Sequence, residues 1–434
     1  MKEMGRLRAI ALDIWKHTGF QKYVRNTGWI FGAKVFTLGV SFIATLYVAR
    51  TLGPTNFGQL SYATSFVALF GFIASLGTET ILYRDLIRHP ERSNLMLGTA
   101  FSIRLLAGIC AAIISVCLAF LLVEDDVSSF LVLILSGTFV LSAFQVILFD
   151  FQSRADSKYP SIIAVAISII LNLLKVSVIA TGNGVIYLAS ILLLEAVLYA
   201  IAYLYIYMKI ARGSVLRWRF DKGYALSLLK DSAPLIALTG FAMIYARIDQ
   251  VFIKHLIDAT AVGVYDAAVR VAELWTFLPG ILLAALTPAI VNAKSVSDQL
   301  YNQRLGRLGL LITVIAVAAA SGVTLLAPLI IRILYGEAFM AGVPVLQVYV
   351  WSLIGTSLGI LISYYLITEN FRKILAFMGL VPMLANVILN ILWIPAYGIM
   401  GAAYATLISY SLMPLMLLFF RPTRERLVAI LRSF

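Results

Sequence analysis

Apolar runs of about twenty residues, parted by short polar connections, recur along the whole chain. They predict twelve membrane-spanning helices, at approximately 28–49, 57–82, 95–122, 128–149, 160–180, 185–208, 233–255, 262–291, 306–331, 343–367, 373–394 and 399–420. The polar connections fall into two kinds. Those after even-numbered spans hold Arg84, Arg88 and Arg92, then Arg154 and Lys158, then Lys209, Arg212, Arg217, Arg219, Lys222 and Lys230, then Lys294, Arg304 and Arg307, and last Arg372 and Lys373. The opposite connections keep only Arg50, Lys254 and Arg332, and one of them is the acidic Glu124-Asp125-Asp126. Lys and Arg collect on the cytoplasmic side, so both termini are expected there.

The longest polar interruption, from Lys209 to Asp231, divides the spans into two sets of six. The expected plan is an all-α integral membrane fold: a basic cytoplasmic segment 1–27, a six-helix bundle 28–208, a cytoplasmic linker 209–231, a second bundle 232–420 and a basic tail 421–434. A shift of 205 residues lays Phe36 on Phe241, Thr55 on Thr260, Gly58 on Gly263, Ala63 on Ala268 and Leu69 on Leu274, one ungapped register over the first hairpin of each half. This reads as an internal repeat whose copies share orientation about an axis along the membrane normal. Gly53-Pro54 with Gly58, and Gly182 to Gly184, mark tight outer turns, and no outer connection is long enough to hold a folded domain.

Composition agrees: 61% of the 434 residues are hydrophobic and 13% are charged, against about 25% charged in soluble domains. A net charge of +13 would suggest nucleic-acid binding in a soluble protein; here it follows from the basic inner connections, so no nucleic-acid partner is expected. Cys110 and Cys117 lie seven apart on one span, which rules out a disulfide between them and reads as packing. Asp13, Lys16 and His17 interrupt any signal-peptide core, and residues 1–25 read as a basic surface helix. His17, His89 and His255 have no ligand spacing, and no phosphate loop, nucleophile elbow or nucleotide motif is present. No metal and no cofactor are expected, and ATP is not the direct energy source.

The chemistry sits where charge is costly, inside the spans. The stretch Ser232 to Pro288 carries Arg247, Asp249, Arg270 and Glu273. Lys34 lies about 9 Å into span one, within snorkelling reach of the inner surface. Arg104, about 14 Å in, either lines an inward-facing vestibule or snorkels. Lys175 is too deep for either surface and reads as a cavity residue. Arg270 has helical neighbours Asp266 and Glu273 that can neutralise it. Arg247 has no such neighbour, since Asp249 two residues on points away, and it is the foremost site residue. Glu195 and Asp249 are either counter-charges for Lys175 and Arg247 or protonatable groups that couple transport to an ion gradient.

The first half, with Arg50, Leu52, Gly53, Phe57, Gly58, Gly77 and Arg84, and the second, with Ser232, Pro234, Arg247, Asp249, Gln250, Gly263, Tyr265, Arg270, Pro288 and Tyr335-Gly336-Glu337, together resemble the polysaccharide-transport branch of the multidrug/oligosaccharidyl-lipid/polysaccharide (MOP) exporter superfamily, which includes the O-antigen flippases. The resemblance covers nearly the whole chain. It implies two MATE-like lobes around a hydrophilic cavity and alternating-access transport of a lipid-linked oligosaccharide to the outer leaflet, in the cytoplasmic membrane of a bacterium. The expected partners are that anionic diphosphate lipid, membrane lipids and a coupling ion, proton or sodium. Arg247, Arg270, Lys175 and Arg104 are the expected substrate-binding cations, with Asp249, Glu195 and Glu273 as coupling or counter-charges. Related peptidoglycan-precursor flippases look like fourteen-span chains. A drug antiporter of the same fold should show unpaired carboxylates in place of an excess of cations. A membrane glycosyltransferase or polymerase should carry a large outer loop that this chain lacks.

Overall fold

The computed structural model describes residues 18–425 apart from 124, 212, 370 and 422. The expected basic surface helix at 1–25 falls mostly outside the described residues, as does the tail beyond 425. The described chain is all-helical: α1 (Thr18–Leu69), α2 (Gly71–Ser75), α3 (Glu79–Arg88), α4 (Ser93–Leu122), α5 (Asp126–Leu141), α6 (Val146–Ser153), α7 (Lys158–Ala180), α8 (Val185–Lys209), α9 (Lys222–Leu256), α10 (Ala259–Glu273), α11 (Phe277–Val296), α12 (Asp298–Leu334), α13 (Val343–Tyr349), α14 (Ser352–Thr368), α15 (Arg372–Tyr397) and α16 (Ile399–Met416).

These helices are built for a hydrocarbon solvent. In α4 the buried stripe is small or polar, Gly108, Ala111, Ser115 and Ala119. The opposite face exposes Leu106, Ile113 and Leu121, the last at 78%. Lipid is as apolar as leucine, so such helices associate through close backbone approach and hydrogen bonds rather than burial of large side chains. The Ser115 and Ser136 hydroxyls, 2.8 Å apart, join α4 to α5 in this way. Cys110 and Cys117, expected as packing residues, are both exposed on α4.

Among the described residues nine helices are long and apolar enough to cross a membrane, ten if the pair Glu337–Tyr349 and Ser352–Thr368, bent by 47°, forms one span. The difference from twelve has local causes. Spans one and two are two helices that abut at Gly53 within α1: its φ of 72° and ψ of 173° are non-helical and open to glycine but not to a residue with a β-carbon, and Pro54 begins the second helix, so the pair counts once by length alone. The rest of span two is broken at Leu76 and Gly77, both with positive φ. The expected span 262–291 is interrupted by a 3₁₀ turn at Leu274–Thr276.

The chain forms two compact units, residues 1–48 with 70–236, and 49–69 with 237–434. The partition expected from sequence placed 49–69 with the first bundle; in the structure this segment packs inside the second unit. The expected linker 209–231 is also shorter, because α9 already begins at Lys222. The remainder is pinned to the first unit: Trp218 donates to the Tyr207 hydroxyl at 3.0 Å, and the Asp221 amide donates to Thr99 at 3.0 Å. Arg84 donates to Asp85 at 2.9 Å and to Asp231 at 3.3 Å, and these carboxylates, Asp85 foremost, hold its pKa above the ordinary value.

Inside the second unit, the repeat register becomes a set of contacts. Thr55 on the second arm of α1 meets Thr260 on α10, oxygen to oxygen at 2.9 Å. Ser61 donates to Asp266 at 2.7 Å, again 205 residues apart. A methyl added at Gly58 would strike the Ala259 carbonyl, and one at Gly263 the Pro54 carbonyl. Each repeat copy therefore meets its own counterpart, reciprocally, at a glycine crossing.

Candidate functional site

The expected site stretch supplies the second part of α9 and all of α10. Asp258 caps α10 by accepting from the Ala261 amide at 2.7 Å, an interaction worth about 1 kcal/mol. Ala, Gly and Val along α10 let it sink into the second unit, so that every position from Val262 to Val269 is buried. Asp266 is fully buried there. It accepts from Arg270 Nε at 2.6 Å, from Ser61 at 2.7 Å and from Gln250 Nε2 at 3.0 Å. Gln250 in turn accepts from Ser65 at 2.5 Å. The Arg270 guanidinium lies 5.5 Å from the centre of the Phe57 ring. Such a carboxylate, satisfied by charged and neutral donors together, holds its arginine in place.

Arg247 is different, and here the structure corrects the sequence expectation twice. Arg247 is not without a partner: its Nη2 lies 3.7 Å from Glu273 Oε2. Glu273 therefore faces Arg247, while Asp266 serves Arg270. At 3.7 Å the contact is an ion pair too long for a direct hydrogen bond, and the two side chains remain 33% and 31% exposed. Arg270 is itself 35% exposed, so the two pairs differ in length and in the burial of the carboxylate, Asp266 at 1% against Glu273 at 31%, and not in the exposure of their arginines.

Asp249 does not serve as the hydrogen-bonding partner of Arg247. It is buried and accepts from Tyr265 at 2.5 Å and from the Gln250 amide at 2.8 Å. Beyond Tyr265 runs a row of neutral polar groups that sequence reasoning missed. The Thr406 side chain stands near Tyr265, Asn386 Nδ2 reaches Thr406 at 3.5 Å, and Asn390 Nδ2 donates to Asn386 Oδ1 at 3.0 Å. Asn386 and Asn390 are fully buried, and the Asn390 side-chain oxygen has no hydrogen-bond partner. Two asparagines four apart in the apolar run 373–394 were the available signal. Tyr245 and Tyr410, with ring centres 4.2 Å apart, were equally unforeseen.

In the first unit, Lys175 and Glu195 form the expected pair at 3.5 Å. Lys34 and Glu79 are exposed. Arg104 neither snorkels nor lines an open vestibule: it is 1% exposed. It donates to the Ser75 carbonyl and Thr78 hydroxyl, both at 3.2 Å, and to Gln145 at 3.2 Å. The guanidinium so caps the end of α2 and braces it against the α5–α6 junction. Three of the four expected binding cations thus have carboxylate partners, and the second-unit cluster holds two cations against three carboxylates. The expected excess of buried cations is absent from that cluster. Among the described residues no group of three or more His, Cys, Asp or Glu gathers as a metal site.

Nine long apolar helices among the described residues, with paired and hydrogen-bonded ionisable groups inside them, mark a multi-pass membrane protein. The chain belongs to the polysaccharide biosynthesis protein family, whose model matches residues 23–294. It is 24% identical over 417 residues to the probable flippase AglR of Haloferax volcanii, covering 90% of this chain and 82% of that protein. It is 22% identical over 397 residues to the probable low-salt glycan biosynthesis flippase Agl15 of the same organism, covering 88% and 80%. Among solved structures, an inward-facing multidrug resistance MATE family transporter of the MOP superfamily superimposes with a TM-score of 0.74 at 14% identity, covering 92% of this chain and 96% of that one. The lipid II flippase MurJ superimposes at 0.69 with 18% identity, covering 94% and 90%. The fold is therefore that of the MOP superfamily, and the curated relatives are flippases, transporters rather than enzymes.

Proposed function

We propose that this protein moves a polyprenyl-diphosphate-linked oligosaccharide, an O-antigen repeat or similar unit, from the cytoplasmic to the outer leaflet by alternating access. The observation that carries the reading is the Arg247 to Glu273 pair, long and one-third exposed, in a chain of the polysaccharide biosynthesis family. A diphosphate can displace Glu273 and take the arginine fork at two oxygens. Lys175, paired with Glu195 at 3.5 Å and partly exposed, is the proposed cation of the first unit. Arg270 and Arg104 hold the scaffold around these two. The chain crosses the membrane twelve times in two six-helix bundles with both termini in the cytoplasm, α1 with its continuation and α10 with α11 each supplying bent spans.

Asp249 and the neutral oxygens of Tyr265, Thr406, Asn386 and Asn390 suit a small coupling cation, proton or sodium, and Glu195 is the alternative carboxylate. A second reading, a cation antiporter of the same fold, is favoured by the three carboxylates against two arginines in the second unit. One series separates the two. Surface glycan is measured in cells carrying Arg247→Ala or Arg247→Lys at matched membrane abundance. The flippase reading expects loss of at least tenfold in the first and partial retention in the second. Normal glycan in Arg247→Ala, together with proton- or sodium-driven efflux of organic cations, is the antiporter outcome.

A further inference from the structure

Arg25, Gly28 and Gly32 on α1 and Ile162, Val165 and Ile169 on α7 line an apolar groove of about 770 Å³ within the first unit. The groove has a direction. Arg25 and Ser161 line one end, Phe36 and Ile169 the other, and the Ser157 amide donates to Asn26 at 2.7 Å, which places the start of α7 beside Arg25. Lys158, exposed, lies on the same α7 face one turn before Ile162, so two cations stand at the same end. Neither cation forms an ion pair with a carboxylate among the described residues. A β-carbon at Gly28 or Gly32 would meet nothing within 4 Å, so the floor of the groove is kept open by the missing side chains. Leucine or alanine there would be better for the helix, and the open floor is what glycine provides in return.

We infer that this groove seats the lipid end of the cargo as it docks, with the isoprenoid chain along Gly28, Gly32 and Ile169 and the diphosphate between Arg25 and Lys158 before it passes to Arg247. The inference rests on the flippase reading and adds where the chain is held. Charge selects the occupant. A diphosphate carries about two negative charges or more and answers two cations without carboxylates, whereas a common phospholipid phosphate carries one. A twenty-ångström apolar crossing is not needed, since only the part of the chain next to the head requires a fixed seat and the remainder can stay in the bilayer.

The test uses the full chain in nanodiscs and a sugar-free polyprenyl diphosphate bearing a diazirine near its head. Labelling should map to 28–36 or 161–169, yield to unlabelled polyprenyl diphosphate, and resist an equal excess of phosphatidylglycerol. Gly28→Leu with Gly32→Leu should lower labelling at least fivefold; open space above both positions leaves the fold undisturbed, which monodispersity checks. Arg25→Gln with Lys158→Gln should lower it severalfold while leaving the chain's own groove intact. Undiminished labelling in the leucine variant, or displacement by phosphatidylglycerol as effective as by polyprenyl diphosphate, overturns the proposal. Translocation of a lipid-linked oligosaccharide is followed in parallel. A leucine variant that translocates at the wild-type rate sinks the groove assignment alone, whereas a wild-type protein that labels in the groove yet translocates nothing sinks the flippase reading alone.

Discussion

The two arginines of the second unit differ in the geometry of their pairing and in how deeply the partner carboxylate is buried, their own side chains being alike at 35% and 33% exposed. Arg270 is held at 2.6 Å by an Asp266 that also satisfies Ser61 and Gln250. Removing it strands a buried carboxylate. Arg270→Met should therefore cost about 3–5 kcal/mol of stability, whereas neutralising both partners with residues of similar volume should cost much less. Thermal unfolding in detergent of Arg270→Met and of Arg270→Met with Asp266→Leu checks this; equal losses in both would refute the buried-charge account. Arg247 stood out in the sequence as a cation deep inside a span, but its pairing did not, because Glu273 lies on a different helix and helical spacing offered it to Arg270 instead. The same limit hid the row from Tyr265 to Asn390, whose members come from α10, α15 and α16 and meet only in the fold.

At the scale of elements, the glycine crossing of α1 and α10 is the feature with the sharpest consequence. Because a β-carbon at Gly58 or Gly263 meets a backbone carbonyl, Gly58→Val or Gly263→Val must push the helices apart. Thr55→Cys with Thr260→Cys, whose parent hydroxyl oxygens lie 2.9 Å apart, should form a disulfide on mild oxidation in a background without Cys110 and Cys117. Adding Gly263→Val should abolish that disulfide; efficient cross-linking in its presence would contradict the crossing. The 205-residue register was visible in the sequence, as were the turns at Gly53 and Gly182. That the two copies would touch one another was not, since a repeat specifies equivalent environments and says nothing of mutual contact. Breaks inside spans were likewise hidden: hydropathy averages over a window and passes across the Leu76–Gly77 and Leu274–Thr276 interruptions as if the helix continued.

For the whole molecule, the segregation of Lys and Arg predicts which surfaces face the cytoplasm. In intact cells a membrane-impermeant thiol reagent should label Asp126→Cys and spare Lys222→Cys, both exposed positions in the structure. Labelling of both, or of Lys222→Cys alone, would contradict the topology. The class of protein was legible from apolar periodicity alone, because bilayer thickness imposes span length. The proposed substrate was not, because recognition of an anionic lipid would depend on which few cations remain open once the others are paired. The most direct measurement is therefore translocation itself, in sealed proteoliposomes carrying purified protein and a fluorescent polyprenyl-diphosphate oligosaccharide, read by the access of an external glycosidase. The account predicts protein-dependent exposure of the sugar that falls at least tenfold in Arg247→Ala and partly returns in Arg247→Lys. Wild-type protein that leaves the sugar on its original side, or an Arg247→Ala variant that moves it at the wild-type rate, would contradict it.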